Sequence, residues 1–325
     1  MIALFRDKSI VAFFALVICT VLIHFHIFYV PVTLSANSNT GIFNLLVQRY
    51  LIKLPPIVIT IVFILLILLQ SIRLSIVLNN SKMYAHQGFT AAFAYVFLSG
   101  LLPNAYLFGP AFLVNSFIIL LFSIILKFYN NQNAKGLLFN AGFLASSIVI
   151  CYYPSIVLLI VTLCGLAILR PFRMAEWFIL LIGIIAPFYL LFATLYLNNF
   201  NFQQIVIEKV KFYISFHQKD AWYFVTFFTI VLLMVAAFIN WYPNSNRLVI
   251  QIRKNWVVML ILLFTTLLTI PIYTKMGALP ELITLVPMAA FLANFFVYPK
   301  KLFFVNVFVF LVAIIIVYNN YIICK

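Results

Sequence analysis

Long apolar runs alternate with short polar connections along the whole chain. Each run holds roughly 16–22 residues, close to the length that an α-helix needs to cross about 30 Å of hydrocarbon. The predicted spans are approximately 9–30, 54–72, 87–102, 110–127, 136–152, 154–169, 177–197, 222–240, 256–273, 279–297 and 302–322. The pattern therefore predicts an all-α fold, a polytopic transmembrane helical bundle with about eleven spans.

The alternative membrane architecture is a β-barrel, whose strands alternate apolar and polar residues over about ten positions. The runs here are continuous, so helices are favoured. Composition agrees with this reading, because 66% of the residues are hydrophobic, 8% are charged and the mean hydropathy is +1.20. A soluble domain with so few polar residues would be unable to cover its own core.

The basic residues of the connections predict the orientation. With the amino terminus in the cytoplasm, thirteen of the twenty Lys and Arg residues lie inside and seven outside, as expected for the retention of positive charge on the cytoplasmic side. The inner set is Arg6, Lys8, Arg73, Lys82, Lys127, Lys135, Arg170, Arg173, Arg247, Arg253, Lys254, Lys300 and Lys301. The outer set is Arg49, Lys53, Lys209, Lys211, Lys219, Lys275 and Lys325. An odd span count then places the carboxyl terminus outside, and we expect a multi-pass protein of the bacterial inner membrane.

Two outer connections are longer than the rest, at about 31–53 and 198–221. Apolar residues recur in both at spacings of three and four, which predicts amphipathic helices along the membrane surface. They are connectors or a lid over a lipid- or sugar-binding cleft. Residues 1–325 are expected to form a single integral membrane domain.

The net charge of +15 does not indicate nucleic-acid binding, because the basic residues are spread between apolar runs. The four cysteines show no paired spacing. His24 and His26 are predicted near the outer surface and His86 near the inner one, so the histidines are too far apart for a common iron site. We expect no metal and no cofactor, and no nucleophile or nucleotide-binding motif is present.

A charged turn divides the chain near its middle. Arg170, Arg173 and Glu176 fall within seven residues between two apolar runs. Arg173 and Glu176 are three residues apart on an emerging helix and are able to pair. The three residues are predicted to form a structural clamp on the turn between spans six and seven.

Glu281 is the best candidate for a catalytic residue among the five acidic residues of the chain. It follows Pro280 at the start of span ten, where it is either a helix-start residue favoured by the helix dipole or a functional carboxylate. Arg49, Lys53 and Lys275 are predicted on the same outer side. With Glu281 they are candidates for contact with a substrate or lipid head group, and simple snorkelling of the basic side chains is the alternative.

Short motifs resemble a Bacteroidota-type family of multi-spanning inner-membrane proteins of unknown function. They are the run 170–173 (Arg-Pro-Phe-Arg), Glu176-Trp177 with Gly183 and Pro187, Glu281-Leu282 with Pro287 and Ala293-Asn294, and Tyr152-Tyr153-Pro154. The resemblance extends over most of the chain and implies an inner-membrane helical bundle. It implies no particular activity.

A weaker resemblance concerns architecture alone. A first span, an outer loop with an interfacial helix and many further spans are similar to membrane glycosyltransferases that use polyprenyl-phosphate sugars. Those enzymes typically place an acidic residue in the first outer loop, whereas this chain has none between residues 31 and 53. Glu208, Asp220 or Glu281 would have to take that role.

Three functional hypotheses follow. The scarcity of acids and of motifs favours a non-catalytic subunit or lipid-handling partner of a membrane assembly, with a polyprenyl or phospholipid ligand and membrane-protein partners. The alternatives are a transferase of the polyprenyl-linked kind acting at the outer face, and a transporter of small molecules or lipids. A transporter would line a polar cavity with Asn115, Asn140 or the group Thr265, Thr266 and Thr269.

Overall fold

The computed structural model describes residues 2–29, 32–34, 53–102, 107–131, 134–197, 211–212, 221–245, 248–270, 272–273, 280–299 and 302–320. Within these ranges the fold is all-α, as predicted, apart from two pairs of two-residue strands. The helices are α1 (Ile2–Arg6), α2 (Ile10–Ile23), α3 (Pro56–Asn80), α4 (Thr90–Leu101), α5 (Pro110–Leu126), α6 (Lys135–Cys151), α7 (Leu158–Leu169), α8 (Met174–Leu197), α9 (Ala221–Ser245), α10 (Ile250–Leu267), α11 (Leu285–Val297) and α12 (Leu302–Tyr318).

Each of the eleven predicted apolar runs overlaps one of the helices α2–α12, although α3 continues to Asn80, eight residues beyond the predicted run 54–72. Four helices in the described residues are long and apolar enough to cross a membrane, namely those at Pro56–Asn80, Met174–Leu197, Phe224–Ser245 and Ile250–Leu267. The remaining apolar helices have 10–17 residues. Short 3₁₀ helices extend two of them, Tyr153–Val157 before α7 and Pro280–Thr284 before α11.

The core is centred on α4 and α11, two short helices that are apolar on all sides. Every residue of α4 is buried, and so are eleven of the thirteen residues of α11. A helix that is hydrophobic all round is stable only when other helices surround it, and α3, α9 and α12 provide that cover. By contrast α8 and α9 expose most of their apolar surface, which suits them to contact with lipid.

Helices α6 and α8 pack closely, because glycines allow their backbones to meet. A Cβ atom added at Gly142 would lie 2.5 Å from the carbonyl oxygen of Leu180, and one at Gly183 would lie 2.5 Å from that of Phe139. The hydroxyl of Ser146 donates to the carbonyl of Ile184 at 2.6 Å. Small residues at a membrane helix interface permit such contacts and the dispersion energy that accompanies them.

The amino-terminal helix α1 is inserted into the bundle. Ile2 and Phe5 are fully buried, and the ring of Phe5 stacks on that of Phe93 with centroids 4.6 Å apart. The Arg6 guanidinium donates to the carbonyls of Phe296 and Pro299 at 3.0 and 2.8 Å, where α11 ends. Burial lowers the pKa of Arg6 from its ordinary value, but a guanidinium stays charged at any physiological pH.

The connection between α3 and α4 is fixed by two aromatic side chains. The hydroxyl of Tyr84 donates to the carbonyl of Ala290 at 2.7 Å, and the indole of Trp256 donates to that of Met83 at 3.1 Å. Burial raises the pKa of Tyr84 well above its ordinary value, so the hydroxyl remains a neutral donor. These bonds join the connection to α11 and α10.

Two strand pairs link connections that are distant in sequence. Strand β1 (Thr33–Leu34) pairs in parallel with β2 (Leu107–Phe108), and β3 (Lys211–Phe212) pairs antiparallel with β4 (Ile272–Tyr273). Most of the two predicted amphipathic loops, 31–53 and 198–221, lies outside the described residues.

The position of Pro287 within its helix differs from the one that the apolar run predicts. Pro287 lies inside the predicted span 279–297, where a proline in a helix interior is expected to cause a kink. The structure instead divides this run between the 3₁₀ helix Pro280–Thr284 and α11, so Pro287 lies in the first turn of α11. Proline is tolerated there because the first N–H groups of a helix have no partner within it.

Candidate functional site

A buried ion pair joins the two ends of the charged central turn. The guanidinium of Arg170 contacts the carboxylate of Glu176 in a bidentate manner, with Nε–Oε2 at 2.6 Å and Nη2–Oε1 at 2.7 Å. Both side chains are about nine-tenths buried, whereas Arg173 is 66% exposed and lies 3.8 Å from Glu176. Sequence spacing pointed to Arg173 as the partner, but the chain reverses direction between α7 and α8 and brings Arg170 closer.

The same guanidinium also fixes the connection that follows α5. Its Nη1 donates to the carbonyls of Phe128 and Asn131 at 2.9 and 2.7 Å. Asn130 between them has a positive φ of 54°, a backbone conformation that asparagine tolerates better than most residues. Arg170 therefore holds residues 128–131 in one conformation against the start of α8.

Tyr129, Asn130 and Asn131 form one wall of a cleft of about 740 Å³. The other walls are the carboxyl-terminal end of α3 and the first turns of α10. The polar lining residues are Asn80, Ser81, Ser123, Lys127, Tyr129, Asn130, Asn131, Gln251 and Asn255. We call this the polar cleft, and its volume falls within the range of roughly 300–1,000 Å³ that is typical of ligand sites.

The polar cleft has mixed electrostatics, because the carboxyl-terminal ends of α3 and α5, the negative ends of their dipoles, line it together with one basic side chain. None of its described lining residues carries a carboxylate, while Lys127 contributes an ammonium group. The ammonium of Lys254 lies 5.6 Å from the ring centroid of Tyr129, close enough for a cation–π contact. The amino-terminal end of α10, the positive end of its dipole, also faces the cleft, and its N-cap residue Val249 offers no capping side chain.

One lining side chain is almost entirely buried and incompletely bonded. Asn255 is 1% exposed, and its Oδ1 accepts no hydrogen bond from the described part of the chain. A buried amide oxygen without a donor costs free energy. This oxygen has almost no accessible surface, so it belongs to the packing of α10 and not to the open face of the polar cleft.

A second polar cluster lies in the interior of the bundle. The hydroxyl of Tyr95 donates to Oε1 of Gln70 at 2.6 Å, and Nδ2 of Asn115 lies 3.4 Å from the Tyr95 hydroxyl. Gln70 Nε2 also donates to the Ser116 hydroxyl at 2.8 Å. All three large side chains are buried, so the cluster holds α3, α4 and α5 together.

This cluster also supports the segment that carries Glu281. Asn115 Nδ2 donates to the carbonyl of Leu282 at 2.8 Å, and the hydroxyl of Thr284 donates to the carbonyl of Glu281 at 2.6 Å. Glu281 is half-buried and is the second residue of the 3₁₀ helix. Glu281 therefore lies at the start of a helical segment, as expected for the first of the two roles that the sequence predicts for it.

The four predicted ligand-contact residues are described only in part. Lys53 is exposed just before α3. Arg49 and Lys275 lie outside the described residues, so their relation to Glu281 stays a prediction.

Other polar residues named as transporter candidates have local roles. Thr265, Thr266 and Thr269 donate to carbonyls of their own helix or its end at 2.6–3.0 Å, and Asn140 is exposed. Asn115 belongs to the interior cluster. In the described part of the chain no group of three or more His, Cys, Asp or Glu side chains is placed to hold a metal ion.

An apolar groove of about 420 Å³ lies on another side of the bundle, between α2, α4 and α12. Phe93 and Phe97 form its floor, and the lining residues of α12 run from Asn306 to Val317. Eleven residue steps at 1.5 Å correspond to about 17 Å along the helix axis. We call this the apolar groove.

Comparison with known proteins assigns no role to the polar cleft or to the apolar groove, because no family model, curated protein or solved structure matches the chain.

The sequence identified the clamp residues by their charge. It did not identify the polar cleft, because the amides that line it come from three separate helix ends with no shared spacing. The only sequence signal was the occurrence of Asn and Gln where apolar runs end.

Proposed function

We propose that this chain is a multi-pass protein of the inner membrane with eleven spans, a cytoplasmic amino terminus and an outer carboxyl terminus. The basic residues of the connections support this orientation. The strand pairs support it too, since 33–34, 107–108 and 211–212 are predicted outside and 272–273 form the outer end of the predicted span 256–273. Likewise the segments that form the polar cleft are all predicted inside.

Cysteine accessibility tests this topology. A cysteine-free variant receives a single cysteine at Asp7 or at Lys325, and intact spheroplasts are treated with a membrane-impermeant maleimide. We expect labelling at position 325 in intact spheroplasts, and labelling at position 7 only after lysis. The reverse pattern, or labelling of both positions in intact spheroplasts, would contradict the proposal.

Within the membrane we propose that the chain handles a lipid as a non-catalytic partner of a larger assembly. The apolar groove carries this proposal. Its length of about 17 Å along α12 is close to half of the roughly 30 Å hydrocarbon thickness, which fits one acyl or polyprenyl chain. Its lining is apolar apart from Asn306 at one end and the thiol of Cys19.

The experiment compares two substitutions on α12 in the detergent-purified protein. Ala313 lines the groove, whereas the neighbouring Ile314 is 53% exposed and does not line it. We expect native mass spectrometry to find a bound lipid on the wild type and on Ile314→Phe, with at least about a five-fold loss on Ala313→Phe because the larger side chain fills the site. A wild type without bound lipid, or equal retention by both variants, would overturn the proposal.

The two alternative functions make different demands. A transferase that uses polyprenyl-linked sugars needs Glu281 as a working carboxylate at the outer face. A transporter needs the interior cluster of Gln70, Tyr95 and Asn115 to open to water. Glu281→Gln tests the first requirement and Tyr95→Phe tests the second.

A further inference from the structure

We infer that α1 closes one end of the apolar groove and thereby limits the length of the chain that the groove accepts. The inference rests on the lipid retention proposed above, and it identifies the occupant as one acyl chain of a phospholipid. The methyl end of that chain lies at Asn306, next to α1, and the glycerol end lies at Val317.

The closed end is defined by two contacts between α1 and residues that line the groove. The backbone N–H of Ile2 donates to Oδ1 of Asn306 at 3.4 Å, as the first N–H group of a helix has no partner within it. The ring of Phe5 stacks on that of Phe93, on the groove floor, with centroids 4.6 Å apart. Both α1 side chains are fully buried, so α1 fills the space beyond Asn306.

Helix α1 is held in this position by the bundle itself. The N–H of Phe89, just before α4, donates to the carbonyl of Phe5 at 2.8 Å, and the Arg6 guanidinium donates to two carbonyls at the end of α11. A Cβ atom added at Gly88 would overlap the carbonyl oxygens of Phe5 and Arg6. The closed end is therefore fixed by protein contacts and does not depend on a bound lipid.

The side of the groove is continuous with the apolar surface of the bundle. Leu22 on α2 and Phe310 and Val317 on α12 line the groove and are each more than half exposed. Lipid tails surround an apolar surface of this kind in a membrane. An acyl chain of the surrounding lipid is therefore the occupant that the groove meets first.

The glycerol end is assigned by the aromatic residues that follow Leu22. Phe25, Phe28 and Tyr29 are exposed, and the ring of Phe25 lies 5.7 and 5.8 Å from those of Phe28 and Tyr29, between centroids. Exposed aromatic residues at the end of a span lie at the level of the lipid head groups. The Val317 end of the groove therefore lies close to head groups, whereas α1 occupies the other end.

The length of the groove then selects among chains. About 17 Å along α12 corresponds to one leaflet, or half of the roughly 30 Å hydrocarbon thickness. A chain of this length fills the groove as far as Asn306. A longer chain meets α1 and has to leave the groove sideways, which removes part of it from the aromatic floor.

The first test measures chain-length preference with the full-length protein in detergent. Dimyristoleoyl and dierucoyl phosphatidylcholine have the same head group and one cis double bond per chain, and they are supplied in equal amounts. We expect native mass spectrometry to find the shorter lipid retained at least about five-fold more than the longer one, since the longer chain does not fit. Equal retention, or a preference for the longer lipid, would overturn the inference.

Two variants test the role of α1. Gly88→Ala places a methyl group against the carbonyls of α1 and should displace it, whereas Gly136→Ala adds a methyl group in open space on α6. We expect the preference for the shorter lipid to fall below about two-fold in Gly88→Ala and to stay at the wild-type value in Gly136→Ala. The same preference in both variants would show that α1 does not limit chain length.

The orientation of the chain is measured in the wild type, so that it does not depend on the folding of a variant. A phosphatidylcholine carries a photoreactive diazirine either at the methyl end of one chain or next to its carboxyl group, and labelled residues are mapped by peptide mass spectrometry. We expect the methyl-end probe to label Phe93 or Asn306 and the carboxyl-end probe to label Leu22 or Val317. The reverse pattern, or labels outside the groove, would overturn the inference.

These results separate the inference from the proposal on which it rests. A wild type that retains no lipid would reject both. Lipid retention that is lost in Ala313→Phe but shows no chain-length preference would reject the role of α1 and leave the lipid-handling proposal in place.

Discussion

Arg170 and Glu176 form a bidentate ion pair, with contacts of 2.6 and 2.7 Å, at the turn between α7 and α8. Arg170 is in turn bonded to two carbonyls of the connection after α5. One guanidinium thus joins the end of α7, the start of α8 and the connection after α5.

Glu176→Gln should therefore destabilise the protein. Breaking a buried ion pair on one side costs about 3–5 kcal/mol, and the carbonyls that still accept from Arg170 should reduce this to about 2–3 kcal/mol. Arg173→Gln is the control, because Arg173 is 66% exposed and should change stability by less than about 0.5 kcal/mol. Unfolding curves in mixed micelles measure both, and equal shifts would refute the assignment of Arg170 as the main partner.

Because α6 packs closely against α8, replacement of glycine by alanine should affect stability very differently at two positions of α6. Gly142→Ala should cost at least about 1–3 kcal/mol, since the new methyl group would overlap the backbone of α8. Gly136→Ala, on the same helix, has open space around the added atom and should be neutral or stabilising by up to about 1 kcal/mol through helix propensity. Melting temperatures in detergent compare the two variants. A loss of stability at both positions would show that α6 tolerates alanine at neither glycine, and would contradict the prediction.

Tyr95→Phe tests the interior cluster. The variant keeps the ring but leaves Oε1 of Gln70 without its 2.6 Å donor, so we expect a loss of about 1–2 kcal/mol, above the mean of ~0.6 for hydrogen bonds in membranes because the site is fully buried. Tyr189→Phe is the matched control, as Tyr189 is 68% exposed on α8. If Tyr95→Phe leaves stability unchanged but alters substrate flux in proteoliposomes, the transporter alternative gains at the expense of the partner proposal.

Glu281→Gln separates the partner proposal from the transferase. Gln retains the shape of the side chain at the second position of the 3₁₀ helix, so a variant with normal expression should match the wild type in growth and in surface glycans, beside a deletion strain for comparison. A variant that expresses normally but loses the same glycan as the deletion would establish a working carboxylate and remove the partner proposal.

The sequence by itself determined the class of fold. Continuous apolar runs allow only structures whose backbone groups bond within the segment, and each of the eleven runs overlaps a helix among the described residues. It also located the charged turn at 170–176, because three charges in an apolar chain are conspicuous.

Tertiary structure decided which helices lie inside and where the cavities lie. The apolar pattern alone does not distinguish the buried α4 from the exposed face of α8, because both are continuous apolar runs. The partner of Glu176 depended on how the chain turns, and the polar cleft depended on three helix ends meeting. The hydrophobicity of a segment depends only on its own residues and can be calculated from the sequence. Contacts between segments depend on how the side chains pack in three dimensions, and the spacing of residues along the chain does not determine that packing.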